Sequence, residues 1–173
     1  MKNTKVIYIT KGAIIAAMYV ALTFAQSALL PGTVSGDIQF RASEVLCVLA
    51  FYTPAAIPGL TIGCLLSNLL AGLGAVDLIL GPLASLLAAV TMYALRNVRW
   101  FKLPILGLLM PAVFNGLIVG FEIAFFFTDG GFTFPAFLIA GGFVALGELA
   151  VLFVLGIPLT LLLDKKADKI GIR

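Results

Sequence analysis

The chain contains no histidine. That absence removes Ser-His-Asp hydrolysis and histidine proton relays, and it greatly weakens any zinc-protease reading. Cysteine is scarce too: Cys47 and Cys64 both fall inside apolar stretches, without CxxC spacing. Metal and disulfide chemistry are therefore poorly served, and small core residues are the better reading of both. No GxxxxGK[ST] loop is present, so ATP cannot be hydrolysed here by that route. Charge is also short. Only 11% of residues are charged, less than half of the ~25% usual in soluble domains, and none occurs from Val45 to Val76. The few basic residues build no basic surface domain, which argues against nucleic acid as a partner. No internal repeat of the kind that marks many secondary transporters stands out.

What the chain has in excess is apolar surface. Of its 173 residues 62% are hydrophobic, and mean hydropathy is strongly positive. A soluble fold of this size leaves too much of its chain exposed to hide that composition. Lipid must be the solvent. A span needs ~20 apolar residues, so six spans use ~120 and leave about fifty for loops and tails. Residues 1–173 are thus expected to form a single all-α integral membrane domain, with no room for a soluble one. After Lys11 the apolar run is too long for a signal peptide and lacks a small-x-small cut site.

Punctuation places the helices. The first, about 8–30, ends at Pro31-Gly32. The polar stretch Thr33 to Gln39 reads as a loop. Pro54 and Pro58 divide the uncharged stretch into a tight hairpin of two short helices, about 41–53 and 58–72. Helix four is expected over about 77–95, helix five over 103–127, and helix six over 134–163 after the loop Thr128-Asp129-Gly130-Gly131. Helix six exceeds the bilayer core and should tilt or bend near Pro158.

Lys2, Lys5 and Lys11 precede the first helix; Arg96, Arg99 and Lys102 share one loop; Lys165, Lys166, Lys169 and Arg173 form the tail. With both termini in the cytoplasm, ten of the eleven Lys and Arg residues lie inside and only Arg41 outside. The positive-inside rule therefore predicts six spans with cytoplasmic N- and C-termini.

Ionisable residues at membrane depth are expensive and usually functional. Here they are Arg41, Glu44, Asp77, Glu122 and Glu148, joined by the amides Gln26, Asn68 and Asn115. They fall in the outer parts or midpoints of their helices, and the inner halves carry none. That asymmetry predicts a pocket open to the outside and closed to the cytoplasm. Asn115 and Glu122, seven apart, share a helix face, as do Cys64 and Asn68 at i, i+4. Glu148 shares a face with Gly141 and Ala145, small residues that admit a close neighbour or ligand. Structural readings stand beside these: Arg41 and Glu44 at i, i+3 as a salt bridge, Asp77 as a helix cap, and Asn68 as an interhelical hydrogen bond. Phe125, Phe126, Phe127, Phe132, Phe134 and Phe137 read as an aromatic interface belt, from which one or two rings can still stack on a planar ligand.

Specific strings then become informative. Gln39-Phe40-Arg41-Ala42-Ser43-Glu44 is followed by Phe51-Tyr52-Thr53-Pro54-Ala55-Ala56-Ile57-Pro58-Gly59 and Ile62-Gly63-Cys64-Leu65-Leu66-Ser67-Asn68. With the stretch from Asp77 to Gly81, Asn115-Gly116-Leu117-Ile118-Val119-Gly120 before Glu122, and Gly147-Glu148, these resemble the QueT family, in order and over essentially the whole chain. The resemblance implies a substrate-binding S-component of an energy-coupling factor (ECF) transporter, in a bacterial or archaeal cell membrane. Such a subunit captures a queuosine precursor or related 7-deazaguanine. Its transport needs separate partners, a transmembrane coupling protein and two ATPases, and the chain itself is neither an enzyme nor a cofactor carrier.

The residues implied for substrate binding are Glu148, Glu122, Asn115, Asn68, Glu44, Arg41 and Asp77. A 7-deazaguanine presents N1–H and an exocyclic amine as a two-donor edge, which one carboxylate can accept. A cationic 7-aminomethyl group would use a second carboxylate, with Glu44 a candidate. Family S-components commonly dock through small residues at AxxxA spacing on helix one, and Ala13, Ala17 and Ala21 fit that pattern, although such spacing is common in Ala-rich spans. The competing reading from another class is a self-contained proton-coupled carrier or channel with the glutamates as proton sites. An intramembrane enzyme lacks a nucleophile–base constellation.

Overall fold

The computed structural model describes residues 3–33, 40–128, 130–166, 169 and 172. Gln39 of the quoted motif, most of the 33–39 loop, Asp129, Lys2 and Arg173 lie outside the described residues. The described residues form seven α-helices: α1 (Thr4–Leu29), α2 (Ala56–Leu70), α3 (Asp77–Ala94), α4 (Ile105–Leu108), α5 (Met110–Phe126), α6 (Phe134–Val151) and α7 (Ile157–Lys166). A 3₁₀ helix, Ala42–Phe51, joins α1 to α2, and a π-helical turn, Leu152–Gly156, joins α6 to α7. Among the described residues there is no strand, only an isolated Trp100–Leu103 bridge.

Among the described residues four helical stretches are long and apolar enough to cross a membrane: Thr4–Leu29, Asp77–Ala94, Ile105–Phe126 and Phe134–Lys166. Two shorter apolar helices, Ala42–Phe51 and Ala56–Leu70, accompany them. The sequence expects both to be short, and the structure shows how the first makes up length. Ten residues cover roughly 20 Å as a 3₁₀ helix against about 15 Å as an α-helix. That segment runs through the middle of the bundle, with Leu46 through Phe51 all buried. It touches α1, α2, α3, α6 and α7, while α1, α2, α3, α5 and α6 pack in succession around it. Large apolar side chains such as Ile14, Leu69, Ile79, Leu117 and Leu146 face outward, as a lipid-solvated exterior requires.

Prolines set the departures from regular helix. Pro54 ends the 3₁₀ segment as expected, but Pro58 lies inside the first turn of α2, where its missing N–H leaves no bond unmade. Helix five starts at Ile105 rather than 103 and is broken at Leu109, because Pro111 cannot donate to the Gly107 carbonyl. Pro158 similarly cannot bond to Val154, and the turn before it widens so that the Ile157 N–H reaches Leu152. Close approach depends on glycine at two seams. A Cβ on Gly63 would come within 2.7 Å of Tyr19 Cβ between α2 and α1, and one on Gly120 would strike the Gly141 backbone between α5 and α6.

Side-chain contacts gather the chain's basic segments at one end. Tyr8 donates to the Pro54 carbonyl (3.4 Å), Lys11 to that of Ile172 (3.1 Å), and Arg99 pairs with Asp164 (2.7 Å). The start of α1, the 52–56 turn, the 96–104 loop and the end of α7 therefore meet. The opposite end carries the α2–α3 and α5–α6 connections.

Candidate functional site

A cavity of about 780 Å³ opens at that opposite end. Its polar wall is Arg41, Asp77 and Glu122; Val119, Ile123 and Phe143 supply apolar wall, and Phe127 and Thr128 rim it. Each arrives from a different element: Arg41 just before the 3₁₀ helix, Asp77 at the first residue of α3, Glu122 from α5 and Phe143 from α6.

Glu122 is the least satisfied point of this wall. Its side chain is only 1% accessible, and neither carboxylate oxygen has a hydrogen-bond partner among the described residues. Asp77 stands beside it within electrostatic reach. Two like-charged groups side by side in a desolvated wall favour a cation, a proton or a ligand rich in N–H donors. Asp77 is not a cap: Val76 holds the N-cap position of α3, without a side-chain cap bond. The Asp77 carbonyl instead accepts from Asn68 Nδ2 at 2.9 Å, which fixes the start of α3 against α2. Gly81 makes room for that amide, since a Cβ there would lie 2.6 Å from Asn68 Nδ2.

Glu148 and Asn115 are not among the residues lining the cavity; they meet behind it, Asn115 Nδ2 donating to Glu148 Oε1 at 3.0 Å. Glu148 Oε2 is buried and has no hydrogen-bond partner among the described residues. The small face of Gly141 and Ala145 admits a neighbouring helix, with Gly116 and Gly120 of α5 packed against it. Arg41 is buried and interacts electrostatically with Tyr19, Glu44 and Glu148, so its guanidinium ties the cavity wall to this inner layer.

Glu44 is occupied by the protein itself. Tyr19 Oη donates to its Oε1 through a very short contact, and Cys47 Sγ donates to its Oε2 at 3.0 Å. Thr23 Oγ1 extends this network to Ser43 Oγ and the Tyr19 carbonyl, each at 2.9 Å. Gln26 pins the approach to the 3₁₀ helix, donating to Thr33 Oγ1 (2.9 Å) and the Phe40 carbonyl and accepting from the Ala42 N–H (2.7 Å). Tyr19 and Thr23 are functional residues absent from the sequence-based expectation, although Tyr19, Thr23 and Gln26 form a polar stripe at i, i+4, i+7 along the apolar second half of α1. Ala13, Ala17 and Ala21 lie on the exposed side of α1, away from that stripe.

The family model described as QueT transporter matches residues 9–165. A curated relative, the queuosine precursor transporter QueT of Lactococcus lactis subsp. cremoris (strain MG1363), is 37% identical over 160 residues, covering 89% of this chain and 90% of the relative. No solved structure matches the chain. Apolar helices of spanning length, an outward-facing apolar surface and a match over nearly the whole sequence agree: this chain is a multi-pass membrane protein that belongs to the QueT transporter family.

Proposed function

We propose that this chain is the substrate-capture subunit of an ECF-type importer for a queuosine precursor of the 7-deazaguanine class. The observation that carries this reading is Glu122, a buried carboxylate in a cavity wall it shares with Asp77 and Arg41, whose two acceptor oxygens have no partner among the described residues. A two-donor ring edge satisfies both oxygens of Glu122 at once. Arg41 then donates to the ring carbonyl, Asp77 takes a cationic aminomethyl substituent, and Phe143 or Phe127 covers the ring plane. This arrangement favours 7-aminomethyl-7-deazaguanine over its neutral cyano counterpart. Glu148 and Asn115 form the layer behind, able to take further polar contacts, while Asn68 and Glu44 position the wall.

The whole chain forms one transmembrane domain that crosses the bilayer six times, with the two short apolar helices as the second and third crossings and both termini in the cytoplasm. Support comes from the Lys- and Arg-bearing segments, which meet at the end opposite the cavity. The cavity then faces outward. A chain without a nucleotide motif needs an external engine, supplied by a coupling membrane protein and two ATPases. Ala13, Ala17 and Ala21, exposed and flush on α1, provide the face on which the coupling protein packs. The Asp77–Glu122 pair also suits the rival reading, a proton-coupled carrier. Calorimetry of the purified protein with 7-aminomethyl-, 7-cyano- and unsubstituted 7-deazaguanine, guanine and riboflavin tests the substrate. Tightest binding of the aminomethyl compound is expected; equal binding of riboflavin, or no binding of any deazaguanine, would contradict it.

A further inference from the structure

At the opposite end of the molecule a second, polar cavity of about 560 Å³ is lined by Arg96, Asn97, Arg99, Lys102, Tyr93 and Asp164, among others. Substrate capture makes no use of it. Its two arginines are held in place, and Lys102 adds an exposed ammonium beside them. Arg99 is clamped by Asp164 through Nη1 (2.7 Å) and Nη2 (3.0 Å) and donates again to the Lys102 carbonyl (3.0 Å). Tyr52 Oη braces the same Asp164 at 2.9 Å. The Arg96 guanidinium carbon lies 4.1 Å from the Tyr93 ring centroid, and Nη1 donates to the Tyr93 carbonyl at 2.7 Å. One acid, already claimed by Arg99, faces three cations, and neither Arg96 nor Lys102 has an acidic partner among the described residues. A preorganised, net positive, polar recess suits a phosphate group.

The loop that carries these cations also carries a lipid-seeking tip. Phe101 and Lys102 adopt left-handed backbone angles (φ 50° and 69°), closing a tight turn between Trp100 and Leu103. The turn pushes Trp100 and Phe101 outward, 70% and 87% exposed, with their rings stacked at 6.1 Å. Soluble surfaces rarely spend an exposed Trp–Phe pair, whereas the membrane interface favours such rings at headgroup level. Aromatic tip and basic recess are thus adjacent on one short loop.

We infer that the 93–104 loop and the end of α7 form a binding site for the headgroup phosphate of an anionic phospholipid in the cytoplasmic leaflet. The leaflet assignment rests on the orientation proposed above; the phosphate chemistry does not. Trp100 is the chain's one tryptophan, so its fluorescence reports this loop alone. The protein is placed in nanodiscs containing brominated phosphatidylglycerol or, at equal mole fraction, brominated phosphatidylcholine. Preferential quenching by phosphatidylglycerol is expected, with an apparent selectivity of about tenfold that Arg96→Gln/Lys102→Gln abolishes. The double variant must melt and elute in detergent as the wild type does, which verifies folding; if it does not, each single variant is expected to lose part of the selectivity.

Equal quenching by the two lipids, or selectivity that survives in the variants, overturns the inference and leaves the cluster to partner docking. Displacement of phosphatidylglycerol by millimolar inorganic phosphate would show a soluble-anion site and overturn the lipid assignment. Orientation is read separately, by labelling Lys102→Cys in intact cells with an impermeant maleimide. Labelling from outside refutes the cytoplasmic leaflet, while the nanodisc selectivity, which is blind to orientation, still stands or falls alone.

Discussion

Glu122→Gln separates recognition from architecture, because the same substitution should weaken binding without lowering stability. In the wild-type protein both Glu122 oxygens are buried acceptors without a donor among the described residues. A ligand edge with two N–H groups would make two charge-assisted hydrogen bonds there, each worth about 1.5–3 kcal/mol. Glutamine keeps one acceptor and turns an NH₂ toward the second ligand donor, so a bond is lost and a donor–donor contact is made. Binding should weaken by about 2–4 kcal/mol, roughly 30- to 1,000-fold. Without ligand the change removes one of two neighbouring acids, Asp77 and Glu122, so the empty variant should melt no lower than wild type. Glu148→Gln should do less, since Glu148 Oε1 already accepts from Asn115 at 3.0 Å. The assay is titration calorimetry with 7-aminomethyl-7-deazaguanine, paired with thermal melts in the same detergent. A Glu122→Gln protein that binds within threefold of wild type would refute carboxylate recognition at this wall.

Three further outcomes follow from the packing. Gly120→Ala should lower stability by about 1–3 kcal/mol, because the new Cβ falls on the Gly141 backbone, whereas Gly142→Ala meets nothing within 4 Å and should be nearly neutral; thermal midpoints in detergent compare the two. Tyr19→Phe strips the buried Glu44 of a donor and should cost about 1–3 kcal/mol of stability, read by the same melts. Ala17→Trp puts a bulky ring on the exposed face of α1, away from the cavity; ligand binding by the isolated protein should survive while uptake in cells holding the full module is lost.

Much of the helix layout is legible in the sequence, since proline, glycine and charge mark boundaries by local chemistry. Pro31-Gly32 and the start at Asp77 fall within a residue or two of the observed ends. The 3₁₀ form of Ala42–Phe51 is not legible, because nothing in an apolar run says that its ten residues must stretch to cover the bundle's middle. Nor is the fate of each acid. Glu44 and Glu122 look alike in sequence, two carboxylates at membrane depth, yet one is enclosed by Tyr19 and Cys47 and the other faces a cavity. That difference depends on α1 packing beside the 3₁₀ helix and α3 beside α5, contacts between residues far apart in the chain. The meeting of Asp77 with Glu122 has the same origin. Tyr19, by contrast, was within reach of sequence reasoning through its helical spacing to Thr23 and Gln26.

The most direct test of capture without an engine is to reconstitute the purified chain alone in liposomes and follow radiolabelled 7-aminomethyl-7-deazaguanine. A capture subunit should show saturable binding with no accumulation in the lumen, with or without an imposed proton gradient, and accumulation only when the coupling protein, both ATPases and ATP are added. Luminal accumulation by the chain alone, driven by a proton gradient, would contradict it and make the Asp77–Glu122 pair the proton site of a self-contained carrier.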